Sequence, residues 1–400
     1  MKDNKNKLEL FKSNPSKAIW TLSIPMMLGM SVQAIYMLID TAFIGNWVGG
    51  SALAGLGLIF PPLFIIMGIT FGLGSGATTV IAKSIGEKNK AKADSAAEHI
   101  ILLGIVLSLL FIIIGYFGGE YIIQYQSKNI SIVKHASDYF FTILYGTFFM
   151  IMSIFFRSIL SGEGDNLFPM KVLGLGTLIN LILDPIFIHY YQIKGAALAT
   201  VISQIVVFII FTFIMLFKKH TYITINFTKF KFNHSILNEI LKLGVPASLS
   251  MLIMSIGLFF YNKILAMSEF PIEAIAAYST AHRIEHLFFI PIISIATSMV
   301  TLVGMFYGAR RLDLINKVIS YGLKNALLIS CIFGLLFFTS SNLIFPIFTD
   351  NQKIIKIGVE YFKIFSFAIP FVTISMISSR VMQGLGKAYP MLIITCLRVI

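Results

Sequence analysis

Stretches of about 20 mostly apolar residues, the length that crosses a lipid bilayer as a helix, recur along the whole of this chain. They fall at about 18–45, 53–82, 96–117, 138–160, 169–188, 194–217, 240–266, 273–306, 319–340 and 354–382, and again from 389 onward. That is ten full spans and the start of an eleventh. In lipid every backbone N–H and C=O must be satisfied internally, so segments of this length and spacing fold as α-helices. Composition agrees. The 400 residues are 57% hydrophobic and 12% charged, where soluble chains run at about 45–50% and about 25%. An all-α polytopic membrane protein is therefore expected, with the lipid bilayer as its main partner.

The net charge of +13 does not point to nucleic acid. Its lysines and arginines sit in short clusters between spans, and no soluble basic domain exists to hold a polynucleotide. Lys2, Lys5, Lys7, Lys12 and Lys17 precede the first span. Lys83, Lys88, Lys90 and Lys92 follow the second, Lys218, Lys219, Lys229 and Lys231 the sixth, and Arg310, Arg311 and Lys317 the eighth. The alternate loops are poorer, with Lys128, Lys134 and Lys194. The positive-inside rule then places the N-terminus in the cytoplasm of a multi-pass cytoplasmic (plasma) membrane protein. Trp20 and Trp47 bracket the first span about 40 Å apart at about 1.5 Å per residue, so both are expected at headgroup level. Pro25, Pro61, Pro62, Pro246 and Pro291 are expected kink points. Cys331 and Cys396 lie inside apolar stretches and read as reduced core residues.

The chain repeats itself. Ala54 matches Ala276, Gly86 matches Gly308, Lys134-His-Ala-Ser-Asp-Tyr-Phe matches Lys356-Ile-Gly-Val-Glu-Tyr-Phe, and Gly162-Glu-Gly164 matches Gly384-Leu-Gly386, all about 222 residues apart. Pro25 with Pro246 and Pro169 with Pro390 stand about 221 apart. One register held over roughly a hundred residues indicates duplication. The repeat contains six spans, so both copies enter the membrane from the same side as parallel repeats, with the substrate site expected between them. The expected layout is an N-terminal tail (1–17), an N-lobe (18–217), an inter-lobe linker (218–239) and a C-lobe (240–400). By the repeat, twelve helices make the full pattern and about 10.5 fall within this chain, so the rest of the eleventh and the twelfth are expected beyond Ile400.

Ionisable residues inside spans cost at least about 2.5–3.5 kcal/mol and are functional candidates by default. Asp40 lies near the outer end of the first span. Asn180 and Asp184 share one face of the fifth, also near its outer end. Tyr36 sits one turn from Asp40, and Thr200 lies early in the sixth span. Together they offer oxygen ligands to a hard cation such as Na⁺, or two carboxyls able to share a proton. The eighth span carries His282-Arg283-Ile-Glu285-His286, an H-x-x-E-H pattern. With no third ligand evident, it reads as a polar patch lining a cavity, Arg283 and Glu285 neutralising each other, rather than as a zinc site or an intramembrane enzyme. The glycine-rich "GITFGLGSGATT" has no G-x-x-x-x-G-K-[ST] and reads as close helix packing. No cofactor is expected beyond a coupling ion.

Read together, "LSIPMMLGMSVQAIYMLIDTAFIG", "ATTVIAKSIGEKNKAKA", "RSILSGEGDNLFPM", "NLILDPIFI", "GAALATVISQ", "LKLGVPASLSM" and "LVGMFYGARR" make the chain resemble the multidrug and toxic compound extrusion (MATE) family, especially its DNA-damage-inducible and archaeal-type branch. The resemblance covers nearly the whole chain. It implies two six-helix lobes, a central cavity, and export of drugs, toxic organic cations or metabolites from a monomer in exchange for Na⁺ or H⁺. It also implies an ion-coupling role for Asp40, Asn180, Asp184 and Thr200, which match that branch's pattern. A different branch uses carboxylates in helices 7 and 10; the corresponding spans here have none at membrane depth, and the repeat partner of Asp40 is Tyr261. The alternative reading is a flippase for lipid-linked oligosaccharides from a related superfamily, which would line its cavity with basic residues.

Overall fold

The computed structural model describes residues 7–217 and 221–399. Lys2, Lys5, Lys218 and Lys219 lie outside the described residues. Twelve α-helices run in order: α1 (Lys7–Ser13), α2 (Pro15–Trp47), α3 (Gly50–Gly86), α4 (Lys90–Gln126), α5 (Ile130–Gly162), α6 (Leu167–Tyr191), α7 (Ile193–Thr212), α8 (His234–Leu265), α9 (Pro271–Gly308), α10 (Leu312–Ile344), α11 (Gln352–Gly384) and α12 (Ala388–Val399). Among the described residues there is no β-strand. Among the described residues ten helices are long and apolar enough to cross a membrane, as expected. They project well past the apolar stretches: the third span grows from about 96–117 to Lys90–Gln126, because polar end residues join the helix where solvent and caps satisfy them. Asparagine caps mark several starts. Asn14 accepts from Lys17 N, Asn89 from Lys92 N, Asn129 from Ser131 N, and Asn351 from Lys353 N, each taking up a donor that the helix itself cannot satisfy.

The duplication is visible in the backbone. Lys88 and Arg310 both have φ 56°, while Gly164 and Gly386 have φ 85° and 79°; each pair keeps the spacing of about 222 residues. Gly86 and Gly308 sit where the copies cross: a Cβ on Gly86 would strike the backbone oxygen of Met305, and one on Gly308 that of Lys83. No side chain fits at either position.

The two lobes meet on the side that carries the N-terminus. There Ser23 Oγ lies 2.9 Å from Ser298 Oγ, Thr301 Oγ1 donates to Ser161 O at 2.9 Å, and Gln383 Nε2 donates to Ser75 Oγ at 2.7 Å. Lys83 and Lys92 converge on Glu239 at 3.4 and 2.7 Å. Trp20, expected at the headgroups, instead donates to Tyr321 Oη across this seam at 3.2 Å; Trp47 is half exposed and stacks on Phe43. The small-residue face of α3 lies against α8, where a Cβ on Gly76 would stand 2.7 Å from Gly244 N. Pro62 leaves the carbonyl of Leu58 without its helical donor, and Gln126 Nε2 supplies one at 3.1 Å.

The polar segment before the first span is not a free tail. It folds as α1 from residue 7, and Leu8 and Phe11 are fully buried. Lys7 donates to Gly164 O at 3.3 Å and pairs with Asp165 at 3.4 Å. The inter-lobe linker is held by side chains of α4: Asp94 accepts from Thr224 N at 2.9 Å, Glu98 from Asn226 N at 2.9 Å, and His99 Nε2 from Asn233 N at 2.8 Å. His99 Nδ1 therefore carries the ring hydrogen and donates to Ser95 O at 2.7 Å.

Glu163, between α5 and α6, accepts from Ile223 N at 3.1 Å and is buried. Burial pushes its carboxyl up to about 7, against the opposing pull of the Ile223 N–H and Lys7. A carboxyl raised in the folded state contributes stability that is fully present below its ordinary value of 4.5 and lost as pH rises through about 7. Thermal unfolding of the solubilised protein should show a melting temperature that falls between pH 5 and pH 8. Glu163→Gln should flatten that slope; an unchanged slope contradicts the assignment.

Candidate functional site

Helices α2 and α6 bring a set of oxygen atoms together on the far side of the N-lobe, away from the inter-lobe seam. Asp184 on α6 is fully buried and Asn180, one turn earlier, nearly so. The i, i+4 spacing lets Asn180 Nδ2 donate to Asp184 Oδ1 at 3.0 Å. From α2, Tyr36 Oη donates to Asp184 Oδ2 at 3.1 Å. Asp40, one turn further along α2, lies close to both Tyr36 and Asp184, and its Oδ1 is buried with no hydrogen-bond partner. Two carboxyls close together repel when both are ionised; a proton or a cation between them removes that repulsion. The arrangement thus offers a binding position that the protein's own groups leave unfilled.

Of the five residues expected at an ion site, Asp40, Asn180, Asp184 and Tyr36 form one contiguous cluster. Thr200 on α7 joins through a residue not singled out in the sequence. Tyr139 on α5 lies close to both carboxyls and to Thr200. Its signal was present in the repeat, because Tyr139 is the tyrosine of the segment that matches Tyr361.

Tyr361 plays the corresponding part in the C-lobe. There Glu285 on α9 is buried, with Oε1 lacking a partner, and Tyr361 lies close to it. Tyr278 stacks between Tyr261 and His282, with ring centroids 6.0 Å away on each side. His282 Nδ1 stands 3.9 Å from Glu285 Oε2. Arg283 and His286 are exposed. The expected Arg283–Glu285 pair does not form, because residues two apart point to opposite sides of a helix. Among the described residues no three His, Cys, Asp or Glu side chains come together as a metal-holding group. Cys331 and Cys396 are free thiols, Cys331 exposed and Cys396 half-buried, rather than core residues.

Ten spanning helices in two repeated lobes, with carboxyls buried at membrane depth, define a multi-pass membrane transporter rather than an enzyme. The chain belongs to the MatE family, which it matches over residues 25–186 and 246–400. It is 27% identical over 386 residues to the "Probable multidrug resistance protein NorM" of Thermotoga maritima, covering 95% of this chain and 82% of that protein. It is 26% identical over 394 residues to the "Multidrug export protein MepA" of Staphylococcus aureus, covering 97% and 85%. Its structure superposes with a TM-score of 0.94 at 30% identity on a MOP superfamily transporter of Pyrococcus furiosus whose "reverse polarity of binding pocket suggests different function", covering 100% of this chain and 89% of that one. The same TM-score and identity relate it to the "outward-facing conformation of a multidrug resistance MATE family transporter".

The Tyr36–Asp184 hydrogen bond has a measurable consequence. Tyr36→Phe should cost about 1–2 kcal/mol, since it removes a donor from a buried carboxyl, and the melting temperature should drop. Tyr261→Phe in the C-lobe removes a hydroxyl with no described hydrogen bond and keeps the ring that stacks on Tyr278, and should leave the melting temperature unchanged. Equal effects would contradict the geometry.

Proposed function

We propose that the protein is a secondary active antiporter that exports drugs, toxic organic cations or metabolites across the cytoplasmic membrane in exchange for Na⁺ or H⁺. It works as a single chain with its N-terminus in the cytoplasm. Residues 18–217 and 240–400 act as the two lobes, joined by the linker at 218–239. The observation that carries the reading is a buried Asp40 oxygen without a hydrogen-bond partner, on a carboxyl close to the buried carboxyl of Asp184. Membership of the MatE family and similarity to proteins named for multidrug export supply the substrate class.

The coupling follows from the chemistry of the pair. Entry of a cation or proton from outside neutralises Asp40 and Asp184 and relaxes the repulsion between α2 and α6. Helix α2 then bends about Pro25, reshaping the space between the lobes and lowering affinity for the outgoing molecule. Ion and substrate each weaken the other's binding by the same factor, as linkage requires of an exchanger. Tyr36, Asn180 and Thr200 orient the carboxyls and complete the oxygen set. Glu285, with His282 beside it and Arg283 and His286 on the exposed face of α9, contributes to substrate contacts in the second lobe.

Asp40→Asn and Asp184→Asn should each abolish gradient-driven dye efflux from everted vesicles while leaving expression and melting temperature near wild type. Glu285→Gln should shift substrate preference more than coupling. Imposing Na⁺ and pH gradients separately identifies the ion. Wild-type efflux with wild-type gradient dependence in either aspartate variant would refute the coupling site.

Orientation is checked independently. Single cysteines at Lys90, Asn233 and Arg311 should be shielded from impermeant thiol reagents in intact cells, and one at Lys128 should react. The reverse pattern inverts the topology.

A further inference from the structure

Three arginines at membrane depth have no acidic partner. Arg157 on α5 lies just over one turn before the helix ends at Gly162. Its guanidinium stands 5.1 Å over the ring of Phe71 on α3. Arg380 on α11 lies one turn before that helix ends at Gly384. It donates to Gln383 Oε1 at 2.8 Å, and Gln383 Nε2 donates across the lobe boundary to Ser75 Oγ at 2.7 Å. Phe71 and Ser75 are one turn apart on the same face of α3. Arginines from both lobes therefore border one stretch of one helix. In the internal repeat they occupy equivalent turns, one residue out of register.

The other faces of α3 are filled. Gly74 and Thr78 meet Ser158 of α5, and Gly72 and Gly76 meet Ser248 and Gly244 of α8. The Phe71–Ser75 face looks into the seam between the lobes, beside the level at which Thr301 and Ser161 close it. Arg398 of α12 lies close to Arg380 and reaches Met254 Sδ at 3.4 Å. All three arginines are half-buried.

Among the described residues no carboxylate comes within ion-pair distance of them. The nearby acids are engaged: Glu239 with Lys83 and Lys92, Asp165 with Lys7, and Glu163 with the Ile223 N–H. Asp40, Asp184 and Glu285 belong to the opposite half of the bundle. A lipid-facing arginine at this depth would snorkel to the headgroups, whereas Arg157 folds back over a ring inside the bundle. A ring face engages the cation but leaves its N–H donors unmatched. Those donors form a planar fork suited to bidentate capture of a carboxylate or phosphate.

We propose that the floor of the space between the lobes is an anion-binding site, in which Arg157 and Arg380 receive the carboxylate or phosphate of an amphipathic molecule lying on Phe71. The inference rests on the reading of that space as the substrate cavity and extends it. With arginines at the floor and the carboxyls of the N-lobe in the opposite half of the bundle, molecules carrying an anionic group belong to the ligand class of this space alongside cations.

The test uses two xanthene dyes of similar shape and opposite charge, fluorescein and rhodamine 6G. Binding is followed by fluorescence polarisation with purified protein in phosphatidylcholine nanodiscs. No gradient is present, so a failure of ion coupling cannot imitate the result. Arg157→Gln and Arg380→Gln should each weaken fluorescein binding by about tenfold or more and leave rhodamine 6G within about twofold. Arg157→Lys should keep part of the affinity, retaining the charge but not the fork. Melting temperatures should change little, because each Gln variant trades one ring contact or one hydrogen bond for removal of a half-buried cation with no acidic partner. Nanodiscs containing phosphatidylglycerol separate the two sources of anion. If that lipid suppresses fluorescein binding in the wild type and co-purifies with it but not with the double Gln variant, a lipid phosphate occupies the floor. If it changes nothing, soluble anions do, and either result supports the site. Absence of fluorescein binding to the wild type, unchanged affinity in both Gln variants, or parallel loss of both dyes would overturn the proposal.

Discussion

Lipid supplies no hydrogen bonds, and the rest of this structure depends on that fact. Every backbone group at membrane depth must be matched inside the protein. One exception imposed by sequence is repaired locally, where Gln126 of α4 takes up the Leu58 carbonyl that Pro62 leaves unpaired. Hydroxyls along the spans turn back onto carbonyls one turn earlier, as Thr70, Ser84, Ser108 and Thr373 do. Against that background, a buried carboxyl oxygen with no partner stands out. Among the described residues there are two such oxygens, one on Asp40 and one on Glu285. They lie in opposite lobes, each beside a tyrosine, and those tyrosines occupy the same repeat position. Duplication placed the same frame twice, and the sequence then filled it differently: a second carboxyl and an amide in the N-lobe, and stacked tyrosines and a histidine in the C-lobe.

The closed side of the molecule is built from another kind of contact. Serine, threonine and glutamine side chains, one tryptophan and the Lys83–Glu239–Lys92 group join the lobes there. Such contacts are individually weak, at about 0.5–1.5 kcal/mol for a typical hydrogen bond. Around them the lobes also share one apolar cluster, with Leu73, Ala77 and Ile81 of α3 against Met299, Leu302 and Val303 of α9, so opening this side exposes apolar surface as well as breaking these contacts. The α4 side chains that grip the linker, and α1 packed under the loop that contains Gly164, keep the two lobes connected on that side whatever the seam does.

Much of this was legible in the sequence because the signals were local or periodic. Apolar runs gave the spans, the register of about 222 residues gave the lobes, and the i, i+4 spacing of Asn180 and Asp184 gave one face of the site. What the sequence could not carry was partnership across helices. Tyr139 becomes part of the acidic cluster only because α5 packs beside α7 and brings it to Thr200. Trp20 looked like a headgroup anchor until α10 supplied Tyr321 as an acceptor. Arg283 and Glu285 looked like a pair from proximity in sequence, and helical geometry separates them. Arg157 and Arg380 lie inside the spans at 138–160 and 354–382, but only the packing of the helices reveals that no acid stands beside them.

The account as a whole turns on one claim: that the carboxyl pair of Asp40 and Asp184 gives up an ion when substrate binds. The most direct measurement titrates a cationic dye into purified protein in weakly buffered solution while following released protons with a pH indicator and released ²²Na⁺ by rapid filtration. The account predicts release of H⁺ or Na⁺ in fixed proportion to bound dye, and its disappearance in Asp40→Asn and Asp184→Asn. Dye binding with no release of either ion in the wild type, or equal release in the aspartate variants, would contradict it.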